Sequence, residues 1–243
     1  MNVHTTFLGE KRVELDPPVR GDPITAERYV SADYMKREFE RLWPKVWHIG
    51  AMEGELEEPG DFARHDFGKE SVFMIRQRNG SVKAFYNSCR HRGNRLVVTE
   101  LGGGDGVRCS YHGWKYGLDG VLMSAQDADD VVGGDPCGKL KLFEVPCASW
   151  GGFIWFSFSP EKPLLDWLAP LPAEMANYGM ETWTRVMYLT AEVHCNWKIV
   201  RDNFNESYHL PTLHPELATF INDDFEDTIF EMYPSGHNRM VMK

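Results

Sequence analysis

Basic runs are missing from this chain. Its 243 residues carry 26 Lys and Arg against 36 Asp and Glu, a formal net charge of −10. Phosphate neutralisation needs clustered cations, so no nucleic-acid partner is expected. Long apolar runs are missing too. The most apolar stretch, Trp150 to Phe158 (WGGFIWFSF), falls far short of the roughly 20 residues that cross a bilayer, and no membrane partner is expected. The opening residues, MNVHTTFLGEKRVELDPP, hold no apolar core of a secretory signal. Cysteine is sparse and odd in number, five in all. That argues against a disulfide framework and for a cytoplasmic setting, where thiols stay reduced and serve metals or redox work. No G-x-G-x-x-G follows a strand and opens a helix; GGGDG lies in a different context, so the chain itself is not expected to bind a dinucleotide.

What is present suffices for a packed core: 42% of residues are hydrophobic and 13% aromatic, in a length suited to one large domain or two modest ones. After Pro17, Pro18 and Pro23, Ser31 is placed to cap a short helix carrying Met35, Phe39 and Leu42, which Pro44 ends. From about Asp61 the apolar period becomes two. SVFMIRQRNGSVKAFYN reads as a hairpin closed by a type I′ turn at Asn79-Gly80, and Asp119-Gly120 marks a second such turn. LFEV and GFIWFSF add strands, making residues 45–160 a small antiparallel β unit. The proline-rich PEKPLLDWLAPLP is a connector. VMYLTAEVHCNWK has strand character, and a helix follows from about Asn196. Trp197, Val200, Phe204 and Tyr208 form its apolar stripe, with Asp202, Asn203, Glu206 and His209 on the other side.

Residues 87–117 hold two Cys–His pairs, Cys89 with His91 and Cys109 with His112. Zinc fingers generally group two Cys and then two His, whereas here each loop supplies one of each. A Rieske [2Fe–2S] cluster places two Cys on one iron and two His on the other, which two matched loops can satisfy. Gly93 and Gly113 let backbone approach such a cluster closely. A Cys₂His₂ zinc site is the competing reading. These residues carry a resemblance: CRHRGNRL and CSYHGWKYGLDG resemble the Rieske segment of the Rieske non-haem iron (ring-hydroxylating) oxygenases, C-x-H-R-G followed by C-x-Y-H-G-W-x-[YF]. Ser110 departs from it, where proline is common.

The second constellation is RDNFNESYHLPTLHPEL. Two His and one carboxylate form the facial triad of non-haem Fe(II) oxygenases. Five-residue spacing does not put His209 and His214 on one helical face, but Pro211 is expected to turn the chain and bring them together. Glu206, one helical turn before His209, can touch its ring. Taken alone, the polar stripe equally reads as a solvated helix face. The segment resembles the same family's N-x-x-[ED]-x-Y-H-x-x-x-x-H-P signature at Asn203, Glu206, Tyr208, His209, His214 and Pro215.

By that resemblance His209 and His214 are ligands of a mononuclear iron, Glu206 is the acidic bridge to the Rieske His of a neighbouring subunit, and Asn203 is a further catalytic residue. The third, carboxylate ligand is an Asp on a later helix of the family's catalytic domain and is not identifiable here; Asp223, Asp224, Glu226 and Asp227 match no ligand position. The resemblance implies an α+β fold: residues 1–44 a helical segment packing on the catalytic domain, 45–160 the Rieske domain, and 161–243 the start of an incomplete helix-grip-like catalytic domain. It also implies a terminal oxygenase that takes NAD(P)H electrons through a flavin/iron–sulfur reductase, with or without a ferredoxin. O2 would be the co-substrate, used to mono- or dioxygenate a small organic substrate, aromatic by default, in a homotrimer or α3β3 assembly. The alternatives are a Rieske electron carrier without oxygenase activity and a zinc-stabilised binding module. Cys137, Cys147 and Cys195 read as structural or incidental thiols, and His4, His48, His65, His194 and His237 have no partner spacing.

Overall fold

The alternation in SVFMIRQRNGSVKAFYN becomes two antiparallel strands, Glu70–Arg76 and Val82–Tyr86, with Phe73 opposite Phe85 and Met74 opposite Ala84. They occupy the middle of a five-stranded sheet in the order Glu144–Val145, Val82–Tyr86, Glu70–Arg76, Phe62–Phe67, Leu101–Gly102. A second sheet joins Cys147–Trp150, Phe153–Phe156 and His48–Met52; a third, smaller one joins Leu122–Ser124, Lys115–Tyr116 and Val107–Arg108. This computed structural model describes residues 5–8, 11–14, 21–221, 228–233 and 235–242, with the backbone alone for 5–8, 11–14 and 218. Two units are separable: Glu38–Trp167 with Leu171–Met187, and Met1–Arg37 with Leu168–Pro170 and Tyr188–Lys243. The fold class is α+β, and the strand pairings among the described residues are antiparallel.

Side chains alternate across a strand, and the first unit uses both faces of its central strands. Val72, Met74 and Ala84 pack with Ala51, Ile154 and Phe156 of the second sheet. Phe73, Ile75 and Phe85 pack the other way, with Leu96, Val107, Tyr116 and Leu122, and with the thiol side chains of Cys89 and Cys109. Each fully buried large apolar side chain contributes about 1.5–3 kcal/mol, and the cysteines sit within one of the two well-buried cores of this unit. Ser31 caps the helix Ala32–Arg41, accepting from the Tyr34 amide at 3.2 Å.

The hairpin turns differ from the type I′ expectation. Asn79 and Asp119 keep negative φ, and only Gly80 (φ 83°) and Gly120 (φ 80°) are left-handed. The Gly80 amide bonds back to the Gln77 carbonyl at 3.0 Å, and Gln77 N donates to Ser81 O at 2.7 Å. The loop is therefore a type I turn followed by a left-handed glycine that forms a G1 bulge. Gly117 to Val121 repeats it. In both, the acidic or amide side chain before the glycine accepts from the amide two residues on, at 3.1 Å, which holds that residue in a right-handed turn.

In the second unit VMYLTAEVHCNWK is not a strand: Trp183–His194 has no regular structure, and Val186, Tyr188, Leu189 and Val193 are exposed. β-propensity forms a strand only when a ladder partner is present, and none pairs with this segment among the described residues. The helix is also shorter than its apolar stripe suggests. It runs Trp197–Asn203, with the Asn196 side chain capping the Lys198 amide at 3.1 Å, and Val200, Phe204 and Tyr208 are exposed. Pro211 does not stop this helix. It occupies the first turn of another, Leu210–Leu213, where a missing N–H costs nothing. Two hairpins went unread in the sequence: Thr5–Leu8 with Lys11–Glu14, inside the segment expected to be helical, and Ile229–Met232 with Asn238–Val241.

Candidate metal centres

The two Cys–His loops are closed in the same way. Cys89 N donates to Asn94 O at 2.8 Å and Gly93 N to Cys89 O at 2.8 Å; Cys109 N donates to Trp114 O at 2.8 Å and Gly113 N to Cys109 O at 3.0 Å. The glycines are left-handed alike, with φ of 71° and 70°. Each loop thus follows a strand end, buries its sulfur (Cys89 3% exposed, Cys109 2%) and lifts its imidazole outward. The rings of His91 and His112 meet edge to face with centroids 4.5 Å apart, and His91 stacks on Trp114 at 4.7 Å. The structure therefore brings all four residues together, sulfurs on the core side and imidazoles toward the surface.

The base of the first loop is gripped by Asn87. Its Oδ1 accepts from the Leu96 and Val97 amides at 3.0 and 2.8 Å, and its Nδ2 donates to Val97 O at 2.7 Å. Two residues given no role in the sequence analysis, Asn94 and the motif tyrosine Tyr116, point polar atoms at the sulfurs. Tyr116 Oη lies 3.3 Å from Cys89 Sγ and accepts from the Arg90 amide at 3.1 Å, so its own proton is left for the sulfur. Asn94 Nδ2 lies 3.6 Å from Cys109 Sγ.

Burial pushes the Cys109 thiol up, but hydrogen bonds from the Tyr111 and His112 backbone, Cys89 and Asn94 outweigh it and bring the group below its ordinary value. That favours the thiolate a metal needs. His91 is lowered by partial desolvation and by its neighbours His112 and Arg92, which favours the neutral imidazole. The donor set of two thiols and two imidazoles, with side-chain donors facing both sulfurs, fits a Rieske cluster.

The histidine segment is built differently. His209 ends the turn that precedes Leu210–Leu213 and His214 follows it, so the short helix brings the rings to 5.6 Å between centroids at 75°. Glu206 binds the His209 ring through Oε1 at Nδ1, and its Oε2 accepts from the His209 amide at 3.3 Å. That bond to His209 holds the Glu206 carboxyl below its ordinary value. Asn203 stands exposed at the end of its helix. Asp223, Asp224, Glu226 and Asp227 lie outside the described residues. No three His, Cys, Asp or Glu side chains converge on one point among the described residues. A two-iron cluster asks only two protein ligands of each iron, and His209 with His214 offers two of the three that a facial triad takes.

His48 and His65, which have no partner spacing in the sequence, prove to be part of an aromatic layer: His48 stacks on Phe156 at 5.2 Å and His65 lies 5.4 Å from the same ring. Cys137 and Cys147 are half-buried and Cys195 is exposed. Burial pushes the Cys147 thiol up to about 11, which makes it an inert packing group.

Two family models match the chain, the Rieske [2Fe-2S] domain over residues 46–140 and the ring hydroxylating alpha subunit (catalytic domain) over residues 180–242. The glycine betaine monooxygenase oxygenase subunit of Pseudomonas aeruginosa is 34% identical over 221 residues, 81% of this chain and 50% of that protein. The large oxygenase component of the 2,4-dinitrotoluene dioxygenase system of a Burkholderia species is 33% identical over 199 residues, 78% and 44% of the two chains. Among solved structures, a quaternary ammonium Rieske monooxygenase with bound L-carnitine superposes with a TM-score of 0.74 at 25% identity, covering 84% of this chain and 60% of that one. A naphthalene 1,2-dioxygenase variant with bound phenanthrene gives 0.65 at 31% identity, covering 77% and 44%. The chain spans about half the length of the curated relatives it matches. No helix among the described residues is long and apolar enough to cross a membrane.

Proposed function

Because this chain belongs to the Rieske non-haem iron oxygenases, carrying their Rieske domain and part of their α-subunit catalytic domain, we propose that it acts as the terminal oxygenase component of a multicomponent, cytoplasmic system. The observation that carries the reading is that one chain presents two distinct donor sets, a Cys₂His₂ pair of loops and a His209–His214 pair whose first ring is held by the Glu206 carboxylate. When bound, a Rieske cluster supplies one-electron transfer and a mononuclear Fe(II) supplies O2 activation.

Cys89 and Cys109 hold one iron of the cluster, His91 and His112 the other. His209 and His214 hold the mononuclear iron. Glu206, engaged at His209 Nδ1, fixes the tautomer and ring orientation and leaves Nε2 for the metal. The same carboxylate is proposed as the inter-site bridge to the Rieske histidine of a neighbouring subunit in a homotrimer or α3β3 assembly, and Asn203 is proposed as a further catalytic residue of the same motif. A flavin/iron–sulfur reductase, with or without a ferredoxin, delivers NAD(P)H electrons. The domain division at about residues 44 and 160 is supported by where the two family models match. Relatives named for glycine betaine and for 2,4-dinitrotoluene set two substrate classes to try side by side, quaternary ammonium compounds and aromatic rings.

Iron, acid-labile sulfide and zinc measured per chain test the reading. Three iron to two sulfide is the expected result. Two iron to two sulfide reduces the proposal to an electron-transfer protein, and zinc without sulfide overturns it. Glu206→Ala is expected to leave the cluster spectrum unchanged and to slow single-turnover electron delivery to the mononuclear iron by at least tenfold; an unchanged rate removes the bridge.

A further inference from the structure

Asn94 belongs to the first cluster loop, yet its side chain works in the second. Its Nδ2 lies 3.0 Å from Arg95 O, 3.1 Å from Ser110 Oγ and 3.6 Å from Cys109 Sγ. All three are acceptors, which assigns the nitrogen, and not the oxygen, of the amide to this position. One N–H is held within the loop by the Arg95 carbonyl. The other crosses to the Cys109–Ser110 pair, where 3.6 Å suits the larger radius of sulfur.

Ser110 is where the resembled motif commonly has proline. A proline ring carries no side-chain acceptor, so this side-chain tie depends on the serine. The backbone of Asn94 also closes its own loop by accepting from Cys89 N at 2.8 Å. A single residue therefore shapes the loop of one cysteine and reaches the sulfur of the other.

We propose that Asn94 is a positioning residue of the cluster site, donating a hydrogen bond across the two loops to Cys109 Sγ, with the Ser110 hydroxyl steering the amide into place. The inference rests on the reading of Cys89, His91, Cys109 and His112 as cluster ligands. A proton aimed at a ligand sulfur withdraws electron density and favours the more negative, reduced cluster, so the bond raises the reduction potential. Paired with Tyr116 at Cys89, it gives each cysteine one side-chain donor from outside its own loop, Tyr116 from the small sheet and Asn94 from the opposite loop.

The test is a redox titration followed by EPR, with the visible circular dichroism of the oxidised cluster as the check that the cluster is intact. Asn94→Ala is expected to weaken one-electron reduction about tenfold, a fall of 59 mV for a one-electron couple. Ser110→Ala is expected to lower the potential by less, and Ser110→Thr, which keeps the hydroxyl, to stay at the unaltered value. Intact clusters with unmoved potentials in Asn94→Ala and Ser110→Ala overturn the proposal. If Asn94→Ala takes up no cluster, the serine pair decides: a drop in Ser110→Ala alone supports the cross-loop bond, and equal potentials in both variants overturn it. An unaltered chain that shows no cluster spectrum refutes the ligand reading instead.

Discussion

The cluster loops and the histidine segment are both proposed as metal sites, but they are built on opposite plans. The cluster loops each close on themselves by the same pair of backbone bonds, bury their sulfurs in a continuous core and take side-chain donors from nearby. His209 and His214 flank a single short helix, each preceded by an exposed side chain, Tyr208 and Leu213. A cluster needs only two protein ligands per iron, and local loops can supply them. A facial triad needs three groups around one ion, of which this short segment brings two imidazoles together and keeps its carboxylate, Glu206, for a ring nitrogen. One site is specified locally; the other is only partly specified by its own segment.

The comparison breaks most sharply when a ligand is removed. Cys89→Ala is expected to abolish the cluster, with loss of its visible and EPR signals and of both sulfides. Retention of sulfide would show that the loops hold something else. His209→Ala comes next: iron per chain falls by one while the cluster spectrum is kept, and unchanged iron content removes this residue from the ligand set.

A smaller effect sharpens the likeness of the two loops. A Cβ at Gly93 or Gly113 meets nothing nearer than 3.8 or 3.6 Å, so space is not limiting, but both backbones are left-handed. Gly93→Ala and Gly113→Ala should each cost about 1–2 kcal/mol, and by similar amounts, measured by denaturant unfolding. A cost in only one would show that the loops are not equivalent.

The smallest effect is one of acidity on the aromatic layer that holds His48 and His65. Burial holds His48 below its ordinary value against the opposing pull of the Trp43 carbonyl. It holds His65 down too, helped by the His48 charge and opposed by Asp66. Unfolding releases both to an ordinary value near 6.5, so below that the unfolded chain binds more protons than the folded one. Stability is then full above about pH 6.5 and falls as the pH drops through the lowered folded values. A thermal midpoint lower at pH 5.5 than at pH 8 is expected, and His65→Gln should flatten the difference.

The four Cys and His of the loops were legible because a spacing of two or three residues fixes them within one turn of chain. The hairpins were legible from alternation, though not their turn type, since Asn-Gly and Asp-Gly serve a G1 bulge as readily as a type I′ turn. The break after Asn203 was hidden by an apolar stripe that continues through Phe204 and Tyr208 although both are exposed. VMYLTAEVHCNWK shows the same limit from the other side, because propensity cannot tell whether a ladder partner is present. Asn94 had no signal at all, and Tyr116 only its place at the [YF] end of the resembled motif: their roles depend on which sulfur each faces, and that is settled only when the small sheet and the two loops come together.

The matched closure of those loops also bears on the order of folding. Every backbone bond that shapes them spans four or five residues, and loops of about ten residues close in roughly 10–100 ns. Each half of the cradle is thus a low-contact-order element, able to take its form independently of the long-range strand pairings that later set the two halves face to face. A nascent chain would reach its receptive shape early, leaving the slower sheet assembly to align two finished halves.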